Sequence, residues 1–229
     1  MSAIRISGLM LLLAAIATAV SVMTRLSSSL EPFPDSPIQL PIILDTGQYV
    51  IAGAARVLSG LALLAAAIFL RLTLNDRQPV AAGISAALLV LSGAVTAISG
   101  ACMLALAAEL PEAAASRVYL YPEAAWGYQV WIDPVNQARW IAGKVGFTLA
   151  GLGLIALGPV QWRIGGLLKI SAVADVIIEV AMLFIWVDAA TVMHRVSGIA
   201  FLVWLIVSGV WLAAGLLKTP KGVTQHGNP

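Results

Sequence analysis

The chain is poor in charge, in cysteine and in histidine. Only 10% of its 229 residues are charged, whereas an average soluble domain carries about 25%. The single cysteine, Cys102, excludes an internal disulfide framework and a multi-cysteine metal site. Two histidines, His194 and His226, are too few for a histidine-rich metal centre. We therefore predict no metal site.

Hydrophobic residues dominate the remaining composition. They make up 60% of the chain, and the mean hydropathy is +0.95. This composition excludes an ordinary soluble domain, a disordered chain and a nucleic-acid-binding protein. The 13 basic and 11 acidic residues lie mostly at the ends of apolar segments, so the net charge of +2 indicates no particular partner. The composition predicts an all-α, polytopic membrane protein whose surroundings are the lipid bilayer.

Six apolar segments are long enough to cross a bilayer. A spanning helix needs roughly 20 mostly apolar residues, with a range of about 17–25. Strands are excluded, because the runs are unbroken and show no alternation of polar residues. The predicted spans are residues 6–23, 49–70, 80–107, 140–159, 167–187 and 191–217. They predict one six-helix transmembrane domain over residues 1–218, followed by a polar cytoplasmic tail over residues 219–229.

The first span has an alternative interpretation. Arg5, an apolar run and then Ala17-Thr18-Ala19 resemble a signal peptide with a small-residue cleavage site. Apolar residues continue beyond this site as far as Met23, which favours a membrane span.

Lysine and arginine predict the orientation, because they concentrate in cytoplasmic loops. If the N-terminus is inside, seven basic residues lie in inner segments and four in outer ones. The inner set is Arg5, Arg71, Arg77, Arg163, Lys169, Lys218 and Lys221, and the outer set is Arg25, Arg117, Arg139 and Arg195. We predict that both termini are cytoplasmic. The longer outer loop, residues 108–139, is acidic and is expected to carry a short surface helix over residues 113–121.

Ionisable residues inside the spans form the candidate site. These are Arg56, Lys144, Asp175, Glu179, His194 and Arg195. Each charge near the bilayer centre costs about 2.5–3.5 kcal/mol, so such residues usually face the bundle interior. Asp175 and Glu179 are four residues apart, which puts both carboxylates on one helical face with about 6 Å of rise between them. The predicted topology places the other four residues nearer the outer surface.

Two interpretations of these charges remain open. In one, a polar vestibule opens outward, with the two carboxylates at its floor, and binds or passes a small solute or protons. In the other, the charges are structural ion pairs that hold helices together. Both predict that Glu179 points into the bundle, within reach of Arg56 or Lys144, because an unpaired charge in lipid is costly.

Familiar catalytic motifs do not occur. Gly143-Lys144 has no upstream glycine-rich loop, so it is not a phosphate-binding motif. The chain has no nucleophile elbow and no helix with paired metal-binding histidines. Haem held by two histidines of this chain is also excluded, because His226 lies in the tail. We expect a protein that is not an enzyme, and the sequence indicates no cofactor.

Two short phrases resemble a known family. Arg5-Ile6-Ser7-Gly8-Leu9 runs into the first span, and Trp162-Arg163-Ile164-Gly165-Gly166-Leu167 leads into the fifth. Both resemble an uncharacterised bacterial six-span membrane family, domain of unknown function 4386. The resemblance covers most of the chain by layout and implies a multi-pass protein of the bacterial inner membrane, but no reaction. The sequence departs from the family by carrying Asp175 and Glu179 in a span expected to be more apolar.

A second phrase, Met193-His194-Arg195-Val196-Ser197-Gly198, is similar to one in the cytochrome b anchor of succinate dehydrogenase. That resemblance would imply a quinone near Arg195 and Ser197. There the phrase lies near the N-terminus of a three-span protein, whereas here it opens the sixth span.

Three classes of function follow. The first is a small membrane protein that binds or passes a small solute or protons. The second is an accessory or assembly subunit whose partners are other membrane subunits. The third is a quinone- or haem-associated redox subunit.

Overall fold

A computed structural model of the chain describes residues 2–27, 30–32, 41–43, 46–75, 78–109, 122–164, 167–186 and 191–215. This part of the chain is almost entirely helical, which confirms the predicted all-α class. Its helices are α1 (Ala3–Ser27), α2 (Thr46–Leu74), α3 (Pro79–Glu109), α4 (Pro122–Ile164), α5 (Leu167–Leu183) and α6 (Thr191–Ala213). A 3-10 turn, Phe184–Trp186, extends α5. Between α1 and α2, strand β1 (Leu30–Pro32) pairs antiparallel with β2 (Pro41–Ile43).

Five of these helices, α1, α2, α3, α4 and α6, are long and apolar enough to cross a membrane. Each contains most or all of one predicted span. Helix α5 has 17 residues, which is close to the lower limit of about 17 for a spanning helix. The chain is therefore a multi-pass helical membrane protein.

Part of the segment that was predicted to form the outer loop, residues 108–139, is helical. Helix α4 begins at Pro122 and continues without a break to Ile164, so residues 122–139 are helical. Proline is well suited to the first helical position, where its missing N–H group costs nothing. The helix continues through Pro134. The predicted surface helix at 113–121 and the tail at 219–229 lie outside the described residues.

The helices form a ring in chain order. Each helix packs against the next, and α6 returns to pack against α1. The largest hydrophobic core lies where all six meet. Each helix contributes at least one side chain that is 2% exposed or less, for example Leu11, Ala66, Leu89, Leu154, Met182 and Leu205. Large apolar side chains such as Ile16 and Ile177 point outward, 63% and 66% exposed, as expected for a surface that faces lipid.

Serines at intervals of seven join α3 to α4. Ser85, Ser92 and Ser99 each donate a hydrogen bond to a main-chain carbonyl of α4, at O–O distances of 2.8, 2.7 and 2.9 Å. The acceptors, Gly153, Gly146 and Arg139, are themselves seven residues apart and run in the opposite direction. Seven residues are about two helical turns, so the three serines lie on one face of α3. Small residues of this kind let membrane helices approach closely.

Similar contacts join α1 to α2. Ser7 and Ser21 of α1 donate to the carbonyl oxygens of Ala66 and Ala52, at 3.1 and 2.9 Å. Between them, the hydroxyls of Thr18 and Ser59 lie 2.7 Å apart and share a hydrogen bond.

Glycines allow a similarly close approach between the main chains of α2 and α3. Gly60 and Gly93 face each other, and a Cβ atom built on Gly93 would lie 2.5 Å from the Gly60 carbonyl oxygen and 2.8 Å from the Leu64 nitrogen. Seven residues along each helix, Gly53 and Gly100 are again in contact across the interface. These backbones are too close for any side chain at the crossing.

We predict that Gly60→Ala lowers the melting temperature of the purified protein in detergent. Its Cβ would overlap the Gly93 carbonyl oxygen, and overpacking of this kind costs about 1–3 kcal/mol. Gly83→Ala is the matched control, because a Cβ there has no atom within 4 Å. It should leave the melting temperature unchanged or raise it, since alanine is the better helix former. Equal melting temperatures for the two variants would contradict the close crossing of α2 and α3.

Candidate functional site

The two carboxylates of α5 are completely buried. Asp175 is 0% exposed and Glu179 is 1% exposed. Helix α5 buries only a narrow stripe, Ala172, Asp175, Glu179 and Met182, while its other faces carry exposed apolar residues. Asp175 lies eight residues from either end of the helix, or about 12 Å. Acidic groups therefore make up half of the buried stripe, and one of them, Asp175, lies at the midpoint of the helix.

Glu179 rests directly on the main chain of α4 at Gly151. A Cβ atom at Gly151 would overlap the Glu179 carboxylate and would lie 3.2 Å from the Met182 sulfur. The carboxylate thus occupies the space that a side chain at position 151 would fill, so any larger residue there would have to displace it.

Asp175 lies where α4, α5 and α6 meet. Gln161 of α4 and Trp204 of α6 are the polar side chains directed toward its carboxylate, and both are nearly buried, at 5% and 6% exposed. Trp204 stacks on Phe201, with ring centroids 6.1 Å apart, and Phe201 meets Phe147 of α4 edge to face. The aromatic rings of Phe201 and Trp204 therefore line the α6 side of the site.

The buried carboxylates have no hydrogen-bond partner among the described residues. This holds for both oxygens of Asp175 and both oxygens of Glu179, and also for Gln161 Oε1 and Trp204 Nε1. Gln161 and Trp204 therefore face Asp175, but the Asp175 oxygens accept no hydrogen bond of normal geometry from either side chain. An isolated ionised carboxylate in an apolar interior is strongly disfavoured, so such a group normally becomes neutral or acquires a partner.

The expected partners of Glu179 lie elsewhere. The Arg56 guanidinium packs over Gly143 of α4, where a Cβ would lie 3.0 Å from Arg56 Nη2 and 3.7 Å from Ser99 Oγ. Gly143 and Gly151 are separated by eight residues, or about 12 Å along α4. Arg56 and Glu179 therefore contact the same helix about two turns apart.

Lys144 is placed between two indole rings. Its Nζ lies 5.6 Å from the ring centroid of Trp140 and 5.7 Å from that of Trp186. These distances are typical of cation–π interactions. The expectation that Glu179 points into the bundle is confirmed by its burial, whereas the expected pairing with Arg56 or Lys144 is not formed.

His194 and Arg195 lie in the first turns of α6, and their side chains are outside the described residues. Their main chain is nine or ten residues from Trp204, or about 15 Å along the helix. The structure therefore separates the candidate residues into two levels. Asp175 and Glu179 lie together in the middle of the bundle, while the other four lie toward the end that holds Trp140.

Sequence reasoning missed several residues at the site. Gln161 lies beyond the predicted end of the fourth span at residue 159, and Trp204 resembles any apolar residue of its span. Gly151 is one of five glycines from Gly143 to Gly158. Gly151 could be recognised as part of the site only if one knew which of these glycines faces Glu179. That information depends on how α4 and α5 are aligned, which no local pattern encodes.

Polar groups line the α4–α5 interface on both sides of the carboxylates. Toward the Trp140 end, Trp186 Nε1 donates a 3.0 Å hydrogen bond to Thr148 Oγ1, and Thr148 in turn donates to the Lys144 carbonyl oxygen. Toward the other end lies Gln161. The interface thus carries polar groups from Lys144 through Glu179 and Asp175 to Gln161.

Metal binding has no support in the described part of the chain. No group of three or more histidine, cysteine, aspartate or glutamate residues comes together there.

Comparisons with known proteins add no relative. No family model matches the chain, and neither the curated proteins nor the solved structures contain a match. The resemblance to domain of unknown function 4386 stays a prediction.

We predict that Gly151→Ala destabilises the protein by displacing Glu179. Gly158→Ala is the matched control on the same helix, because its Cβ would have only the Ala172 carbonyl oxygen nearby, at 4.0 Å. In detergent, Gly151→Ala should melt at a lower temperature and Gly158→Ala should not.

A double-mutant cycle tests whether the carboxylate itself is responsible. In a Glu179→Ala background, Gly151→Ala should lose most of its effect, because contacting residues are energetically coupled. Purely additive effects would show that Glu179 does not rest on Gly151.

Proposed function

We propose that the protein is a six-span membrane protein that passes protons through the junction of α4, α5 and α6, with Asp175 and Glu179 as the groups that carry the proton. The observation that supports this proposal is the pair of fully buried carboxylates near the middle of α5, without a hydrogen-bond partner among the described residues. This count of six includes α5, the fifth predicted span, in addition to the five longer helices.

A structural role explains these carboxylates poorly. A buried acid that holds helices together needs a cation or a donor opposite it, and the replacement of one partner of a buried ion pair typically costs 3–5 kcal/mol. Glu179 has no cation or hydrogen-bond donor opposite it in the described structure, and Asp175 faces Gln161 and Trp204 without accepting a hydrogen bond of normal geometry from either. Ionisable residues within membrane spans that face the bundle interior often belong to proton relays.

The chemistry of the pair suits proton transfer. A carboxyl group surrounded by apolar atoms is favoured in its neutral, protonated form, and it can release the proton when water or another acceptor reaches it. Asp175 and Glu179 are separated by about one helical turn, a gap that bridging water molecules can span. Two ionised carboxylates at this separation repel each other, so the loss of one proton favours retention of the other.

The polar groups at the α4–α5 interface suggest the route. Thr148, Trp186 and Lys144 lead from Glu179 toward one end of the bundle, and Gln161 leads from Asp175 toward the other. We assign the Lys144 end to the outer surface of a bacterial inner membrane, because the basic residues favour cytoplasmic termini. The carboxylates then lie at the floor of an outward-facing path.

Topology can be tested with single cysteines in a Cys102→Ala background. A membrane-impermeant maleimide added to intact cells should label Glu112→Cys, in the predicted outer loop. It should label Lys221→Cys, in the predicted cytoplasmic tail, only after the membrane is opened. The reverse pattern of labelling would overturn the assigned orientation.

Proton flux tests the function. The purified protein would be reconstituted in liposomes that contain a pH-sensitive dye, and a potassium diffusion potential would drive proton entry. Wild-type protein should acidify the lumen faster than empty liposomes. Asp175→Asn and Glu179→Gln should each reduce the protein-dependent rate at least tenfold, because an amide cannot carry the proton. Ile177→Leu, on the exposed face of the same helix, should retain the rate.

Thermal stability separates a functional from a structural role. Glu179→Gln should keep or raise the melting temperature in detergent, because no partner among the described residues is left unpaired. A large drop in the melting temperature of both Glu179→Gln and Glu179→Leu would support the structural interpretation.

In the liposome experiment, uptake of sodium ions in place of protons would refute the assignment of the transported ion.

A further inference from the structure

A groove on the outer surface of the bundle lies between α2 and α3, close to their connection. Its volume is about 570 Å³. Apolar side chains form its floor and walls, namely Ile68 and Leu72 of α2 and Ala86, Ala87 and Val90 of α3. The two alanines leave the space, because larger side chains at those positions would fill it. Ile68 and Leu72 are 47% and 63% exposed, so the groove opens toward the surrounding lipid.

One end of the groove is polar and basic. Arg71 and Asn75 line it there, and both are exposed. No ion pair of Arg71 occurs within the part of the chain that the structure describes. A fixed positive charge therefore lies at the mouth of an apolar groove.

This end lies at the level expected for a membrane–water interface. Gln78 immediately precedes α3. In the amide orientation that satisfies both groups, its side-chain oxygen accepts a hydrogen bond from Arg163 Nη1 of α4 at 2.8 Å. Beside Arg163, the exposed Trp162 ring has Lys169 Nζ 5.3 Å from its centroid. Tryptophan and basic residues are typical of the interfacial layer.

We propose that the groove binds an anionic phospholipid. Its phosphate would contact Arg71 and Asn75, and one acyl chain would follow the apolar floor past Leu72 toward Ile68 and Val90. Arginine binds phosphate oxygens through charge-assisted hydrogen bonds, and Asn75 adds an uncharged donor. From Asn75 to Ile68 is seven residues, or about 10 Å. The groove therefore accommodates a headgroup and the first part of a chain.

The positive charge of Arg71 should make the groove bind an anionic lipid more strongly than a neutral one. Each basic residue near an anionic membrane surface contributes about 1 kcal/mol, which corresponds to about a fivefold difference in binding. This proposal is independent of the proton pathway, since the groove lies on α2 and α3 and shares no residue with the carboxylate site.

Native mass spectrometry of the intact protein in detergent tests the proposal, with phosphatidylglycerol and phosphatidylcholine of equal chain length as the probes. Wild-type protein should retain phosphatidylglycerol about fivefold more strongly than phosphatidylcholine. Arg71→Ala should abolish this preference. Arg5→Ala, which removes another exposed arginine, is the matched control and should keep it.

A second pair of variants tests the apolar part of the groove. Ala87→Phe should reduce the binding of phosphatidylglycerol by filling the groove, whereas Val203→Phe on the exposed face of α6 should not. Unchanged melting temperatures in detergent would show that all four variants are folded. Equal binding of the two lipids by wild-type protein, or equal effects of Arg71→Ala and Arg5→Ala, would overturn the proposal.

Discussion

Close contact between the main chains of neighbouring helices is the constraint on which this fold depends. In a bilayer, lipid tails are as apolar as leucine, so helices associate through packing and hydrogen bonds rather than through the hydrophobic effect. The serines of α3 meet this requirement at intervals of seven, and each hydroxyl reaches a carbonyl oxygen of α4. Gly60 and Gly93 meet it between α2 and α3 by removing the side chains altogether. These contacts set the positions of α1 to α4.

Helix α5 is bound to this scaffold in a different way. Instead of a series of serines, it presents Asp175 and Glu179 to α4 and α6, and the Glu179 carboxylate takes the space left by Gly151. Without hydrogen-bond partners in the described structure, these carboxylates add little to the cohesion of the bundle. The energetic cost of burying them is one basis for the proton-carrying role proposed above.

Much of the architecture could be predicted from local pattern, and some of the site as well. Apolar runs of 18 residues or more identified the spans, and the four-residue spacing of Asp175 and Glu179 placed both carboxylates on one buried face. The pairing of Glu179 with Arg56 or Lys144 could not be predicted correctly. Such a pairing depends on how α2, α4 and α5 are aligned along the bundle axis. Arg56 and Glu179 contact α4 at points about 12 Å apart, not at the same level.

Composition and periodicity alone determine that this protein is a helical, multi-pass membrane protein with acidic groups in its interior. The physical reason is local, because the bilayer requires each spanning segment to be apolar and to satisfy its own main-chain hydrogen bonds. Tertiary structure alone decided that Gly151 receives Glu179 and that Gln161 and Trp204 face Asp175. Such contacts depend on helix register and packing, in which residues far apart in the chain meet at distances that no single segment specifies.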